Sequence, residues 1–305
     1  MAPSPPAAPG LILALGSATC FGFNIVYARI ASFSGVTGST LVLYRVLIML
    51  ALVAVVAAAF RRGLQVAPGE RRSIFVLSLC TALVGICYLS SVAYIPVGVA
   101  AVVFYTFPVL IVLASPLVDG TRLTASLLGI VATAVIGAVL VVGPVFQELD
   151  WRGLALAAAA SVTAAVQFFT ATRCRKTSSV AKVLWVHALV LPTAILVGLA
   201  SESLSPPSSL LLAPVAVVLT IGGYILGFLL QMIALARISA VVAGVVFCLE
   251  PVVAALTSAL VLGETLSPVQ MIGGALVLAA IMTNVILDRR RPTARLPITE
   301  ITGPA

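Results

Sequence analysis

The sequence predicts an all-α membrane protein whose ten transmembrane helices form two inverted five-helix repeats. Three observations lead there. Of 305 residues, 62% are hydrophobic and 9% charged, and the mean hydropathy is +1.24, a composition foreign to soluble domains. Ten apolar runs of about 20 residues, the length a hydrocarbon core requires, divide the chain. The chain also matches itself at an offset of 143 residues, the separation of Pro108 from Pro251.

A net charge of +8 would suggest nucleic acid in a soluble protein. Here the basic residues sit in short connections between apolar runs, so they report topology and no nucleic-acid partner is expected. The cysteines at positions 20, 80, 87, 174 and 248 form no CxxC pattern. They are read as small core residues, with no disulfide framework, metal or cofactor.

Residues 1–10, rich in Pro and Ala, lack the basic region of a signal peptide. They are read as a disordered cytoplasmic tail, and the next run as a retained first span. The spans of the first repeat, 11–143, are 11–31, 39–60, 74–94, 97–118 and 123–142. Those of the second, 144–287, are 154–172, 183–200, 212–236, 240–262 and 269–287, followed by a basic cytoplasmic tail at 288–305. Spans three and four are separated only by Ile95-Pro96, and spans eight and nine only by Arg237-Ile238-Ser239.

With the N-terminus inside, fourteen of the seventeen Lys and Arg residues lie on the cytoplasmic side: Arg61, Arg62, Arg71, Arg72, Arg122, Arg173, Arg175, Lys176, Lys182, Arg237, Arg289, Arg290, Arg291 and Arg295. Only Arg152 falls outside, while Arg29 and Arg45 belong to spans. This asymmetry predicts that both termini are cytoplasmic.

At the offset of 143, Gly10 meets Gly153, Asn24 meets Gln167, Ile95 meets Ile238 and Phe104 meets Phe247. Five spans per half is an odd number, so the second half enters the membrane the other way up. That arrangement puts a substrate site near the midplane between the halves.

Glu250 is the one acidic residue inside a span, about ten residues or roughly 15 Å deep. The adjacent Pro251 breaks the helix there by removing an N–H donor, as Pro108 does in the first half. An ionisable group at a break must face protein or water, so Glu250 is a candidate for substrate binding or proton coupling. The competing reading makes it an architectural hydrogen-bond partner.

The stretches 94–110 (YIPVGVAAVVFYTFPVL) and 234–281, the latter carrying Glu250-Pro251, Gly263-Glu264 and Gly273-Gly274, resemble the EamA-type repeats of the drug/metabolite transporter superfamily. Arg45 and the ten-span length are similar to that family too. The resemblance implies two inverted five-helix bundles and the movement of metabolites, often amino acids, usually outward. The first half departs from the Gly-Glu feature with Gly120-Thr121.

The remaining candidates are buried polar groups. Arg45, about six residues or roughly 9 Å from the outer end of its span, either snorkels to the interface or pairs with a carboxylate, of the substrate or of Glu250. His187, the single histidine, is the inverted counterpart of Arg45 at an offset of 142; it lines the pathway or makes an interhelical hydrogen bond. The pairs Asn24/Gln167 and Tyr88/Gln231 are repeat-related and either border the central cavity or glue helices together. Glu264 is read as a loop or cap residue, and the Gly222-Gly223 and Gly273-Gly274 pairs as sites of close helix approach.

The sequence has no phosphate-binding loop, so no ATPase drives the chain by itself. It lacks the residues of a metalloprotease or a two-carboxylate hydrolase, and no enzyme is expected. The first span carries no carboxylate of the kind a short multidrug antiporter uses. The function expected is therefore a secondary active transporter of the inner membrane that works by alternating access on a small polar metabolite such as an amino acid. Export follows from the resemblance. Protons are the candidate coupling ion and the lipid bilayer the surrounding partner. An importer or exchanger of another organic solute, or a non-transporting membrane scaffold, is the alternative.

Overall fold

The computed structural model describes residues 7–61, 63–143 and 150–290. The elements are α1 (Ala7–Phe33), α2 (Gly38–Ala59), α3 (Arg71–Ser91), α4 (Val97–Phe104), α5 (Phe107–Val118), α6 (Ala125–Val142), α7 (Trp151–Arg173), α8 (Ser179–Ala200), a 3-10 turn (Pro207–Leu212), α9 (Pro214–Leu235), α10 (Ala240–Phe247), α11 (Leu249–Leu262) and α12 (Pro268–Arg290). The fourth span is the broken pair α4 and α5, and the ninth is α10 and α11, so the described residues make ten spans. Leu117 and Leu260, 92% and 86% exposed, belong to the apolar outer surface that lipid covers. This is a multi-pass membrane protein.

Two tail boundaries move. Helix α1 begins at Ala7, inside the expected disordered tail, because its first turn has a packing partner. A Cβ on Gly10 would stand 2.7 Å from Ile238 Cγ2 and 2.8 Å from Arg237 Cβ. Helix α12 runs on to Arg290. Residues 1–6, Arg62, Glu148, Arg291, Arg295 and the side chains of 288–290 lie outside the described residues.

Local chemistry sets many helix starts. Thr37, Thr124, Ser178 and Ser239 accept from the N–H three residues on, at the starts of α2, α6, α8 and α10, and Asp150 caps α7. Such caps satisfy donors that lipid cannot.

The packing reveals the repeat. Helix α1 lies on α9 and α3 on α7; α1 also meets α10 and α11, as α7 meets α4 and α5; α2 pairs with α8 and α6 with α12. Exchanging the halves maps this pattern onto itself. The same exchange relates single residues: Gly10 is pressed against Ile238, and Gly153 against Ile95, where a Cβ would come within 2.7 Å. Each repeat thus inserts its first-helix glycine under the isoleucine of the other. Asn24 on α1 donates to the Thr220 carbonyl on α9 at 2.5 Å, and Gln167 on α7 to Thr81 Oγ1 on α3 at 2.8 Å, so both amides face the same repeat-related neighbour. Helices α6 and α12 touch backbone to backbone, since a Cβ on Gly137 would lie 2.7 Å from the Gly273 carbonyl oxygen and one on Gly273 2.6 Å from that of Gly137. The chain is two inverted five-helix repeats packed against each other.

Candidate functional site between the repeats

Both prolines mark helix breaks. Pro251 cannot donate to the carbonyl of Phe247, the last residue of α10, and α11 starts afresh at Leu249. Pro108 does the same in the first turn of α5, after α4 ends at Phe104. Glu250 consequently sits in the first turn of α11, where the helix dipole favours a carboxylate. The Tyr105 hydroxyl, from the break between α4 and α5, donates to Glu250 Oε2 at 3.0 Å. Phe104 packs edge-on against both Tyr88 and Tyr105, walling this pair with aromatic carbon. Thr106, the next residue in the break, shares a 2.9 Å hydrogen bond with Ser161 on α7.

Arg45 stands against an aromatic ring. Its guanidinium carbon lies 3.9 Å from the ring centroid of Tyr224 on α9, so it neither snorkels outward nor pairs with Glu250. Among the described residues the one ion pair is Arg29–Glu264 at 2.9 Å, with both side chains nearly half exposed; it contributes little stability. A cation stacked on a tyrosine face gains from the ring quadrupole most where water is excluded. Tyr224 in turn meets His187, which is fully buried: Nε2 is 3.1 Å from the Tyr224 hydroxyl and Nδ1 2.9 Å from the Val183 carbonyl. A carbonyl only accepts, so Nδ1 carries the proton and in the neutral ring Nε2 accepts from Tyr224. His187 is spent on holding Tyr224. Arg45 and Tyr224 line a cavity of about 50 Å³ together with Ser39, Thr81, Gly85 and Thr193.

The other polar candidates are dispersed. Asn24 and Gln167 are buried in the interhelical bonds already described. Tyr88 borders the Glu250 cluster through its contact with Phe104, and Gln231 is buried on α9. Thr163 turns back on its own helix, to the Ala159 carbonyl at 2.8 Å.

Two latches that sequence reasoning missed join the repeats at opposite ends of the bundle. At one end Glu70, before α3, accepts from the Lys176 and Thr177 N–H groups at 2.8 Å each and from the Thr177 hydroxyl at 2.6 Å, while Thr177 Oγ1 accepts from the Ala67 N–H at 3.1 Å. Burial pushes the Glu70 carboxyl up, but those three donors, with the Lys182 charge, hold it below its ordinary value. Lys182, one of the fourteen basic residues that predict the topology, is 1% exposed and donates to the Cys174 carbonyl at 2.8 Å. At the other end Thr37 donates to the Ser203 carbonyl at 2.5 Å, the Ser205 N–H donates to Thr40 at 2.8 Å, and Ser203 Oγ meets Ser39 Oγ at 2.6 Å. The connections involved, α1–α2 with α8–α9 and α7–α8 with α2–α3, exchange when the halves are exchanged. One latch is built on a carboxylate, the other on hydroxyls. The one signal in the sequence was an acid, Glu70, set among Arg61, Arg62, Arg71 and Arg72.

Comparison with known proteins adds to this geometry. A family model described as the EamA-like transporter family matches residues 8–143 and 151–286, two segments that start 143 residues apart. The threonine/homoserine exporter RhtA of Salmonella typhimurium, from strain SL1344 and from strain LT2, is in each case 28% identical over 249 residues, covering 80% of this chain and 81% of the relative. A solved crystal structure of a protein, 24% identical, superposes with a TM-score of 0.71 and covers 90% of this chain and 99% of the other, which shows a shared fold.

Proposed function

Because this chain belongs to the EamA-like transporter family, we propose that it is an inner-membrane secondary transporter that exports a small polar metabolite, with amino acids the leading class, by alternating access. The observation that carries this reading is the pair of repeat-related latches, one at Glu70–Thr177 and one at Thr37–Ser203, with the Arg45 cavity between them. Opening one latch while the other stays shut would expose that cavity to one side at a time. Both termini are cytoplasmic on this reading, which puts the Glu70 latch inside and the hydroxyl latch outside. The repeats, 11–143 and 144–287, are the bodies that rock. The threonine/homoserine exporters among the relatives favour export and an amino acid. Glu250 is the candidate proton-coupling group.

An untargeted comparison of metabolites released by cells with and without the protein tests this reading, followed by uptake of the released compound into inside-out reconstituted vesicles. Selective release of one amino acid or a few is expected. Identical release profiles and inert vesicles would leave the scaffold alternative standing.

A further inference from the structure

Arg45 is a half-buried cation in want of an anion. Among the described residues no carboxylate pairs with it, and its Nε is enclosed without a hydrogen-bond partner. The hydroxyls around its cavity are largely engaged: Thr81 donates to the Leu77 carbonyl and accepts from Gln167, Thr193 donates to the Val190 carbonyl, and Ser39 accepts from Ser203. The rest of the lining, including Val42, Ile86 and Leu89, is apolar. An unbalanced charge in such surroundings is costly, and a planar guanidinium fork matches a carboxylate in two parallel hydrogen bonds. At about 50 Å³ the cavity has room for a carboxylate head.

We propose that Arg45 is the subsite for a carboxylate group of the transported solute, and that Tyr224 is its positioning residue. His187 anchors the Tyr224 hydroxyl, the ring fixes the plane of the guanidinium, and the free edge of the guanidinium is left for the ligand. The inference rests on the transporter reading above and narrows its substrate class to carboxylates: solutes that differ only by conversion of that group to an amide should be refused.

Purified full-length protein is titrated with the twenty proteinogenic amino acids and with the carboxamide of each one that binds, followed by thermal shift and calorimetry. Acids should bind at least roughly tenfold tighter than their amides, the scale of a charge-assisted hydrogen-bond pair. Arg45→Gln should abolish that preference, and Arg45→Lys should keep part of it. Tyr224→Phe, which retains the ring but loses its His187 anchor, should keep most of the acid-to-amide ratio, whereas Tyr224→Leu should lower it further, an effect that loss of packing alone would not produce. Equal binding of acids and amides to the wild type overturns the proposal without needing any variant to fold, as does binding of none of the twenty. Carboxylate binding without transport in vesicles supports the subsite and counts against the transporter reading; transport of amides as readily as acids does the reverse.

Discussion

The Tyr105 hydroxyl donates to Glu250 Oε2 at 3.0 Å, across 145 residues of sequence. It ties the helix break of the first repeat to that of the second. On the proposed rocking of the repeats, this bond would be strained or remade, since its two partners belong to different halves.

If coupling runs through Glu250, Glu250→Gln should fold and insert normally, since the amide oxygen still accepts from Tyr105. Uptake into inside-out vesicles should then lose its dependence on a proton gradient while exchange survives. The architectural alternative predicts that Glu250→Gln keeps gradient-driven transport and that Glu250→Ala lowers thermal stability and yield. Full proton-driven transport by Glu250→Gln would remove Glu250 from the mechanism. Tyr105→Phe, deleting one hydrogen bond, should cost about 1 kcal/mol of stability.

The Glu70 latch should be pH-sensitive in a stated direction. Its carboxyl is held below its ordinary value in the folded protein, so the ionised form contributes stability above that ordinary value, and the contribution is lost as pH falls through the depressed one. The protection of the Lys176 and Thr177 amides, taken relative to each amide's intrinsic exchange rate at the same pH, should be full at neutral pH and fall as pH drops below the ordinary carboxylate value. Glu70→Gln should show the faster exchange already at pH 7, by roughly tenfold, the scale of losing hydrogen bonds to a charged group. Equal exchange in variant and wild type at neutral pH would mean the latch does not hold the repeats together.

The reciprocal glycine contacts predict paired phenotypes. Gly10→Val and Gly153→Val each force a side chain into the isoleucine of the other repeat, and each should destabilise by about 1 to 3 kcal/mol, the usual cost of overpacking. Gly129, with no atom near its added Cβ, is the control: Gly129→Ala should be neutral or stabilising by up to about 1 kcal/mol through helix propensity. Melting temperatures in detergent would decide, and a strong effect at only one of the two glycines would argue against equivalent packing.

Orientation is tested by labelling with a membrane-impermeant thiol reagent. Cysteines placed at Glu202 or Glu148 should react from outside, and those at Arg62, Lys176 or Arg290 should not. The reverse pattern would invert the assignment of the two latches.

The span count and the repeat were legible in the sequence because both are one-dimensional properties: a run of about 20 apolar residues declares its own length, and the offset of 143 compares the chain only with itself. Gly10 with Gly153 and Ile95 with Ile238 read as matched pairs from residue identity alone. The breaks near Pro108 and Pro251 were equally local, following from a missing N–H. What each polar side chain meets was decided only by the tertiary structure. Arg45 reads as an interface anchor or as a partner for a carboxylate, of the substrate or of Glu250; that it lies on Tyr224, 179 residues away in the chain, was not legible. Nothing in the sequence around Glu70 names its partners, yet it accepts three hydrogen bonds from Lys176 and Thr177. Length and hydropathy place a residue at a depth in the membrane; which neighbour it faces depends on the rotation of its helix and on how closely the next one packs, and small residues such as Gly137 and Gly273 set that approach.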